Sequence, residues 1–141
     1  MKRAAVALML AAAVQLAGCG STPSVEQAAG TKDATDQAIA IDAVRMTAAG
    51  KFIDLRYRVV DAERAAQQLG PKVRPQLIDE RTGSVMAVPT TAKLGSLRQT
   101  QGAQKTGRTY FILFANNGSV GPGSKVTVEI GPMKFEHLSV Q

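Results

Sequence analysis

Short segments of alternating apolar and polar residues dominate the chain from Gln37 onward. In Lys51–Val60 and Lys125–Ile130, apolar side chains recur at every second position. Because successive side chains of a strand point to opposite faces, this pattern predicts two strands with one buried face each. Arg108–Ala115 is apolar at both parities, which is typical of a central strand or of one packed on both faces.

Weaker patterns predict five further strands. These are Ile39–Met46, Pro75–Asp79, Ser84–Val88, Leu94–Leu97 and Met133–Val140. In the first of them the apolar residues change parity at Asp42-Ala43, which indicates a β-bulge. Residues that favour turns separate the strands, as in Ala48–Gly50 and in the hairpin loop Glu80–Gly83, where we expect Gly83 to adopt a positive φ.

One helical turn interrupts the strands. We expect it over Ala62–Leu69, with Asp61 as its N-cap and Gly70-Pro71 as its end. With no longer helical periodicity, residues 37–141 are predicted to form an all-β domain, an immunoglobulin-like antiparallel β-sandwich of about seven strands. A small β-barrel is the alternative.

The N-terminus has the pattern of a secretory signal over residues 1–18. Met1–Arg3 is basic, Ala4–Val14 is apolar, and small residues follow. The apolar run is much shorter than the roughly 20 residues that a transmembrane helix needs. Residues 19–36 are small and polar, so we expect a flexible tether with a reach of about 20–25 Å.

Leu16, Ala17, Gly18 and Cys19 resemble the lipobox of bacterial lipoproteins. The resemblance implies that Cys19 carries a diacylglycerol, that a signal peptidase cuts before it, and that its acyl chains hold the protein on a membrane. Gly20 replaces the Asp of the inner-membrane retention signal, so we expect the periplasmic face of the outer membrane. A chance Cys at the end of an ordinary signal peptide is the alternative.

Composition narrows the possible chemistry. The 141 residues contain one Cys and one His, which excludes an internal disulfide and a four-ligand Cys/His zinc site. The single His137 has no Gly-x-Ser-x-Gly nucleophile motif to accompany it, so we expect no enzyme and no cofactor. A periplasmic copper or small-ligand protein is the alternative function, with Met46, Met86, Met133 and His137 as soft ligands. Met133 and His137 share a parity, about 13 Å apart along one strand, so the pair alone cannot bind one ion.

The charge is basic, with 17 Lys and Arg against 11 Asp and Glu. Only Phe52 is expected as an exposed ring among the basic residues, so nucleic acid is not an expected partner. The long polar segment 90–107 is the preferred place for a binding loop. Its candidate contact residues are Arg98, Gln99, Gln101 and Lys105.

A second resemblance covers roughly Ile41 to Val140. It is carried by the strings Asp54–Asp61, Leu77–Asp79, Gly107–Phe114 and Lys125–Val128, which resemble segments of uncharacterised bacterial envelope proteins of immunoglobulin-like fold. The resemblance implies a cell-envelope location and this fold, and it gives no residue a role. Together these features predict a non-enzymatic accessory or binding module with an unknown envelope protein as its partner.

Overall fold

Nine strands and one short helix form the part of the chain that the computed structural model describes, residues 37–99 and 103–141. The strands are β1 (Ile39–Thr47), β2 (Phe52–Val59), β3 (Gln76–Asp79), β4 (Val85–Ala87), β5 (Thr90–Thr91), β6 (Gly95–Ser96), β7 (Thr109–Ala115), β8 (Lys125–Ile130) and β9 (Met133–Ser139). Helix α1 (Ala62–Gln68) connects β2 to β3. The predicted signal peptide, residues Leu16 to Cys19 and the tether lie outside the described residues.

Two antiparallel sheets form a β-sandwich. One sheet has the order β1-β2-β7, the other has the order β4-β3-β8-β9, and β5-β6 is a separate two-stranded ribbon. Both sheets are open, which excludes the barrel alternative and confirms the predicted sandwich. Hairpins lie within each sheet and crossovers join the sheets, as in immunoglobulin-like domains. Strand β4 pairs with β3 and so belongs to the sheet of β3, β8 and β9. In an immunoglobulin constant domain the fourth strand belongs to the other sheet, that of the first two strands.

The core lies between the inner faces of the two sheets. In β2 the alternate residues Ile53, Leu55, Tyr57 and Val59 are buried, as their spacing predicts. Ile112 and Phe114 of β7 lie beside them in the same sheet. The residues that face them across the sandwich come from β3, β8 and β9, among them Leu77, Val126, Val128 and Phe135. Burial of these apolar surfaces is the main favourable contribution to folding.

The predicted bulge in β1 is present. Ile41 pairs with Tyr57 and Ala43 pairs with Arg56, so Asp42 has no counterpart in β2. The Asp42 carboxylate accepts a hydrogen bond from the Thr109 hydroxyl at 3.2 Å. The extra residue lets Val44 remain on the buried face after the parity change.

The predicted helix and turns are also confirmed. The Asp61 side chain accepts hydrogen bonds from the backbone N–H groups of Glu63 and Arg64 and thereby caps α1. In the β1–β2 turn Ala48 and Ala49 have φ values of 51° and 52°, a left-handed conformation that alanine rarely adopts. Gly83 has a φ of 71°.

Two strand predictions need correction. The segment predicted as Leu94–Leu97 forms only the two-residue strand β6, and its partner β5 is not predicted, because two-residue strands leave too little periodicity. Beyond β6, residues 97–99 run along the outer edge of β7, where the Leu113 N–H donates to the Leu97 carbonyl at 2.9 Å. Thus β7 has hydrogen-bonded neighbours on both sides, as predicted for a central strand.

The last two residues close the gap between the sheets. Val140 is buried and exchanges backbone hydrogen bonds with the turn before β8, at Gly123 and Ser124. Gln141 then pairs with the outer edge of β1: its N–H donates to the Val44 carbonyl, and its carbonyl accepts from the Met46 N–H, both at 2.9 Å.

We expect a chain truncated after Ser139 to be strongly destabilised. It loses the buried Val140 side chain and the backbone hydrogen bonds of both residues, for a cost on the order of 3–6 kcal/mol. Urea unfolding followed by circular dichroism measures this difference. The variant Gln141→Ala keeps both backbone bonds, so its stability should change by less than about 0.5 kcal/mol. Equal stability of the truncated and parental chains would contradict the closing role of these residues.

Candidate functional site

The predicted binding loop is partly attached to the sheet. The Gln99 N–H donates to the Phe111 carbonyl at 3.0 Å, and Arg98 forms an isolated bridge with Ile112 on β7. Gln101 lies outside the described residues. The first half of the predicted loop therefore extends the three-stranded sheet, whereas Lys105 is in an exposed return segment.

Arg98 is directed inward, beneath the C-terminal end of α1. Its Nη2 donates to the carbonyls of Gly70 and Pro71 at 3.3 and 3.2 Å, two acceptors that the end of the helix leaves available. Burial lowers the pKa of the Arg98 guanidinium, an effect that the nearby Tyr57 opposes. Arg98 thus connects β7 to the chain that follows the helix, and this contact engages part of its hydrogen-bonding capacity.

Two stacked tyrosines lie beside Arg98. The rings of Tyr57 and Tyr110 are 5.8 Å apart with an interplanar angle of 24°. Burial, reinforced by the neighbouring Tyr110, raises the pKa of Tyr57 to about 12, although Arg98 lowers it in part. The Tyr110 hydroxyl accepts a hydrogen bond from the Lys105 N–H at 2.9 Å. Tyr57 therefore remains a neutral phenol at physiological pH.

The role of Gln99, Gln101 and Lys105 in binding stays a prediction. Gln99 is half-buried and uses its backbone to pair with β7. Lys105 contacts Tyr110 through its backbone, and the residue is exposed to solvent. Of the described members of the predicted set, Lys105 offers the most accessible side chain for a partner.

A carboxylate–histidine cluster is the feature that sequence reasoning missed. Glu136 and His137 of β9 both lie opposite Thr127 of β8, and these two residues form a second bulge. His137 has a φ of 59°, an uncommon value for a residue other than glycine. The apolar residues of β9 change parity from Met133 and Phe135 to Leu138 and Val140, and this change could have predicted the bulge. The change resembles that in β1.

Glu80 holds this bulge in place. It receives hydrogen bonds from the His137 N–H at 2.7 Å and from the Thr127 hydroxyl at 2.8 Å, while its second oxygen lies 3.0 Å from His137 Nδ1. Burial is the largest single influence on the pKa of Glu80 and raises it. The two His137 contacts and the Thr127 hydroxyl together outweigh burial and hold this pKa below the ordinary 4.5.

The bulge also corrects the sequence interpretation of Met133 and His137. Their equal parity predicts that both side chains lie on one face of β9. The extra residue of the bulge moves the following side chains to the opposite face, so Met133 is buried and His137 is exposed. Met86 is also buried in the core, and Met46 is partly buried and packs against the core. Within residues 37–99 and 103–141, no group of three or more His, Cys, Asp or Glu side chains could hold a metal ion. The copper alternative, which needs Met46 or Met86 to join His137, stays a prediction.

No protein-family model, no curated protein and no solved structure matches this chain. Among the described residues, no helix is long and apolar enough to cross a membrane. The resemblance to lipoproteins and to envelope proteins accordingly stays a prediction of the sequence.

We expect Arg98→Ala to destabilise the domain by about 1–3 kcal/mol, because it leaves the Gly70 and Pro71 carbonyls without their donor. Urea unfolding measures the loss. Lys105→Ala is the matched control: Lys105 contacts Tyr110 through its backbone, so its stability should stay within about 0.5 kcal/mol of the parent. If Arg98→Ala were as stable as the parent, Arg98 would be available for a ligand instead.

We expect Glu80→Gln to lower stability at neutral pH by about 1–2 kcal/mol and to weaken the loss of stability in acid. Because folding lowers the pKa of Glu80, its contribution is complete above pH 4.5 and is lost as the pH falls through the lower folded value. Denaturant unfolding from neutral pH to below pH 4 measures both effects. The control is Glu129→Gln in β8, which removes a carboxylate that does not make the three contacts of Glu80. An identical pH profile for Glu80→Gln and the parent would contradict the role of Glu80.

Proposed function

We propose that the chain is a non-enzymatic, lipid-anchored cell-envelope protein that presents a β-sandwich in the periplasm as an accessory or binding module. The observation that carries this proposal is the lipobox-like Leu16-Ala17-Gly18-Cys19, which directly follows a basic and then apolar N-terminus. Cys19 is the single cysteine of the chain, so lipidation would leave the mature protein without a thiol in an oxidising compartment.

The organisation of the domain supports this proposal. The described core residues, from Ala38 to Val140, form one cluster that both sheets share. We propose that the segment before Gln37 serves as the anchor and tether. Two or three acyl chains on Cys19 suffice for stable attachment, since each buried CH₂ contributes about 0.8 kcal/mol. Gly20 in place of Asp favours the outer membrane.

A protein partner is the proposed ligand of the module. The domain offers Lys105 and the β5–β6 ribbon, in which Leu94 is one of the most exposed large apolar side chains of the described chain. Segments of this kind carry recognition in many β-sandwiches, because the sheets hold them in place. We propose a protein of the cell envelope as this partner.

We expect the mature wild-type protein to begin at Cys19 and to carry acyl groups there. Mass spectrometry of the N-terminal peptide measures both properties, and cell fractionation locates the protein. In Cys19→Ser we expect no acylated peptide and an uncut precursor, because serine lacks the thiolate that is alkylated. Ser21→Ala, two residues away, is the matched control and should be processed like the parent. A wild-type N-terminus without acyl groups would overturn the anchor.

A further inference from the structure

The outer face of the three-stranded sheet combines guanidinium groups with phenyl rings. Cross-strand pairing places Arg45 beside Asp54 on one row, and Arg56 beside Phe111 on the next. We call Phe52, Phe111, Arg45, Arg56 and Arg58 the Arg–Phe face. Both rings are partly exposed although they belong to a sheet whose other face forms the core.

The outermost layer of this face is cationic. Arg56 and Arg58 form ion pairs with Asp54 and Asp42, but the arginine side chains are 47% and 54% exposed against 14% and 33% for the aspartates. The long guanidinium side chains therefore extend above the short carboxylates. The Arg56 guanidinium also lies 5.5 Å from the centre of the Phe111 ring. An approaching surface meets guanidinium groups and ring carbons first.

The two sheets differ in charge. The strands β1, β2 and β7, with the residues directly flanking them, carry five basic residues against two acidic ones: Arg45, Lys51, Arg56, Arg58 and Arg108 against Asp42 and Asp54. Strands β3, β4, β8 and β9 with their flanking residues carry two basic residues against four acidic ones: Lys125 and Lys134 against Asp79, Glu80, Glu129 and Glu136. The first sheet therefore carries a net positive charge and the second a net negative charge. Three of the five basic residues of the first sheet, Arg45, Arg56 and Arg58, belong to the Arg–Phe face.

We propose that the Arg–Phe face binds the anionic headgroups of a lipid membrane. Guanidinium groups form paired hydrogen bonds with phosphate, and partly exposed rings suit the interface between headgroups and acyl chains. The inference rests on the proposed anchor for its geometry: a tether of about 20–25 Å would attach at Gln37, two residues before the edge strand of this same sheet. The acidic side of the sandwich would then face away from the bilayer.

Arginine labelling of the full lipidated chain tests the proposal. The protein is reconstituted in phosphatidylcholine vesicles with or without phosphatidylglycerol and treated with phenylglyoxal, and mass spectrometry gives the labelling at each arginine. We expect severalfold slower labelling of Arg56 and Arg58 on the anionic vesicles. Arg81, which is 75% exposed in the β3–β4 hairpin of the other sheet, is the internal control and should label equally on both. The protection should vanish at about 1 M salt, where charges are screened beyond roughly 3 Å.

Two double variants sharpen the test. In Arg56→Gln/Arg58→Gln, the protection of Arg45 should be lost on anionic vesicles. In Lys125→Gln/Lys134→Gln, which removes two charges from the other sheet, it should remain. Equal labelling of Arg56 and Arg58 on both vesicle types would overturn the proposal, as would equal protection of Arg81. Protection by soluble polyglutamate but not by anionic vesicles would overturn it in favour of an acidic protein.

The same preparation separates this proposal from the anchor. Flotation with pure phosphatidylcholine vesicles reports the acyl chains alone, because those vesicles carry no net charge. A chain that fails to float would count against the anchor, whereas the labelling on anionic vesicles would still decide the role of the face. A chain that floats without protection of Arg56 and Arg58 retains the anchor and refutes the face.

Discussion

The alternation of buried and exposed side chains along β2 is the constraint on which the sandwich depends. Every second residue from Ile53 to Val59 is buried, and the neighbouring strands β1 and β7 take their register from this strand. A slip of one residue would turn the whole buried set to solvent. The two sheets can pack against each other only because each strand directs its apolar residues to the core between them.

Two bulges adjust edge strands to this constraint. In β1 the extra residue is Asp42, and in β9 the extra residue accompanies the positive φ of His137. Each bulge is held by a side-chain hydrogen bond from another part of the chain: Thr109 donates to Asp42, and His137 donates to Glu80. The polar residues at these points therefore stabilise the bulges through hydrogen bonds between residues distant in sequence.

Much of the fold could be predicted from local pattern. Strands β2 and β8, the bulge at Asp42 and the capped helix follow from side-chain periodicity and turn chemistry, because these signals are carried by residues close in sequence. The inward course of Arg98 could not be predicted, since its acceptors Gly70 and Pro71 are 28 and 27 residues away. The polarity of the sandwich also depends on strand order, which assigns Arg45 and Arg56 to one face only after β1 and β2 are paired.

The β1–β2 turn has a consequence for how this sequence could be redesigned. Ala48 and Ala49 both adopt left-handed dihedrals, which cost an alanine on the order of 1–2 kcal/mol each, where Asn-Gly would be at ease. A stabilising substitution is therefore available at this exposed hairpin, as is common in natural proteins, which are rarely at their stability optimum. A substitution in this turn could raise the stability of the domain without changing a residue on either face of the sandwich.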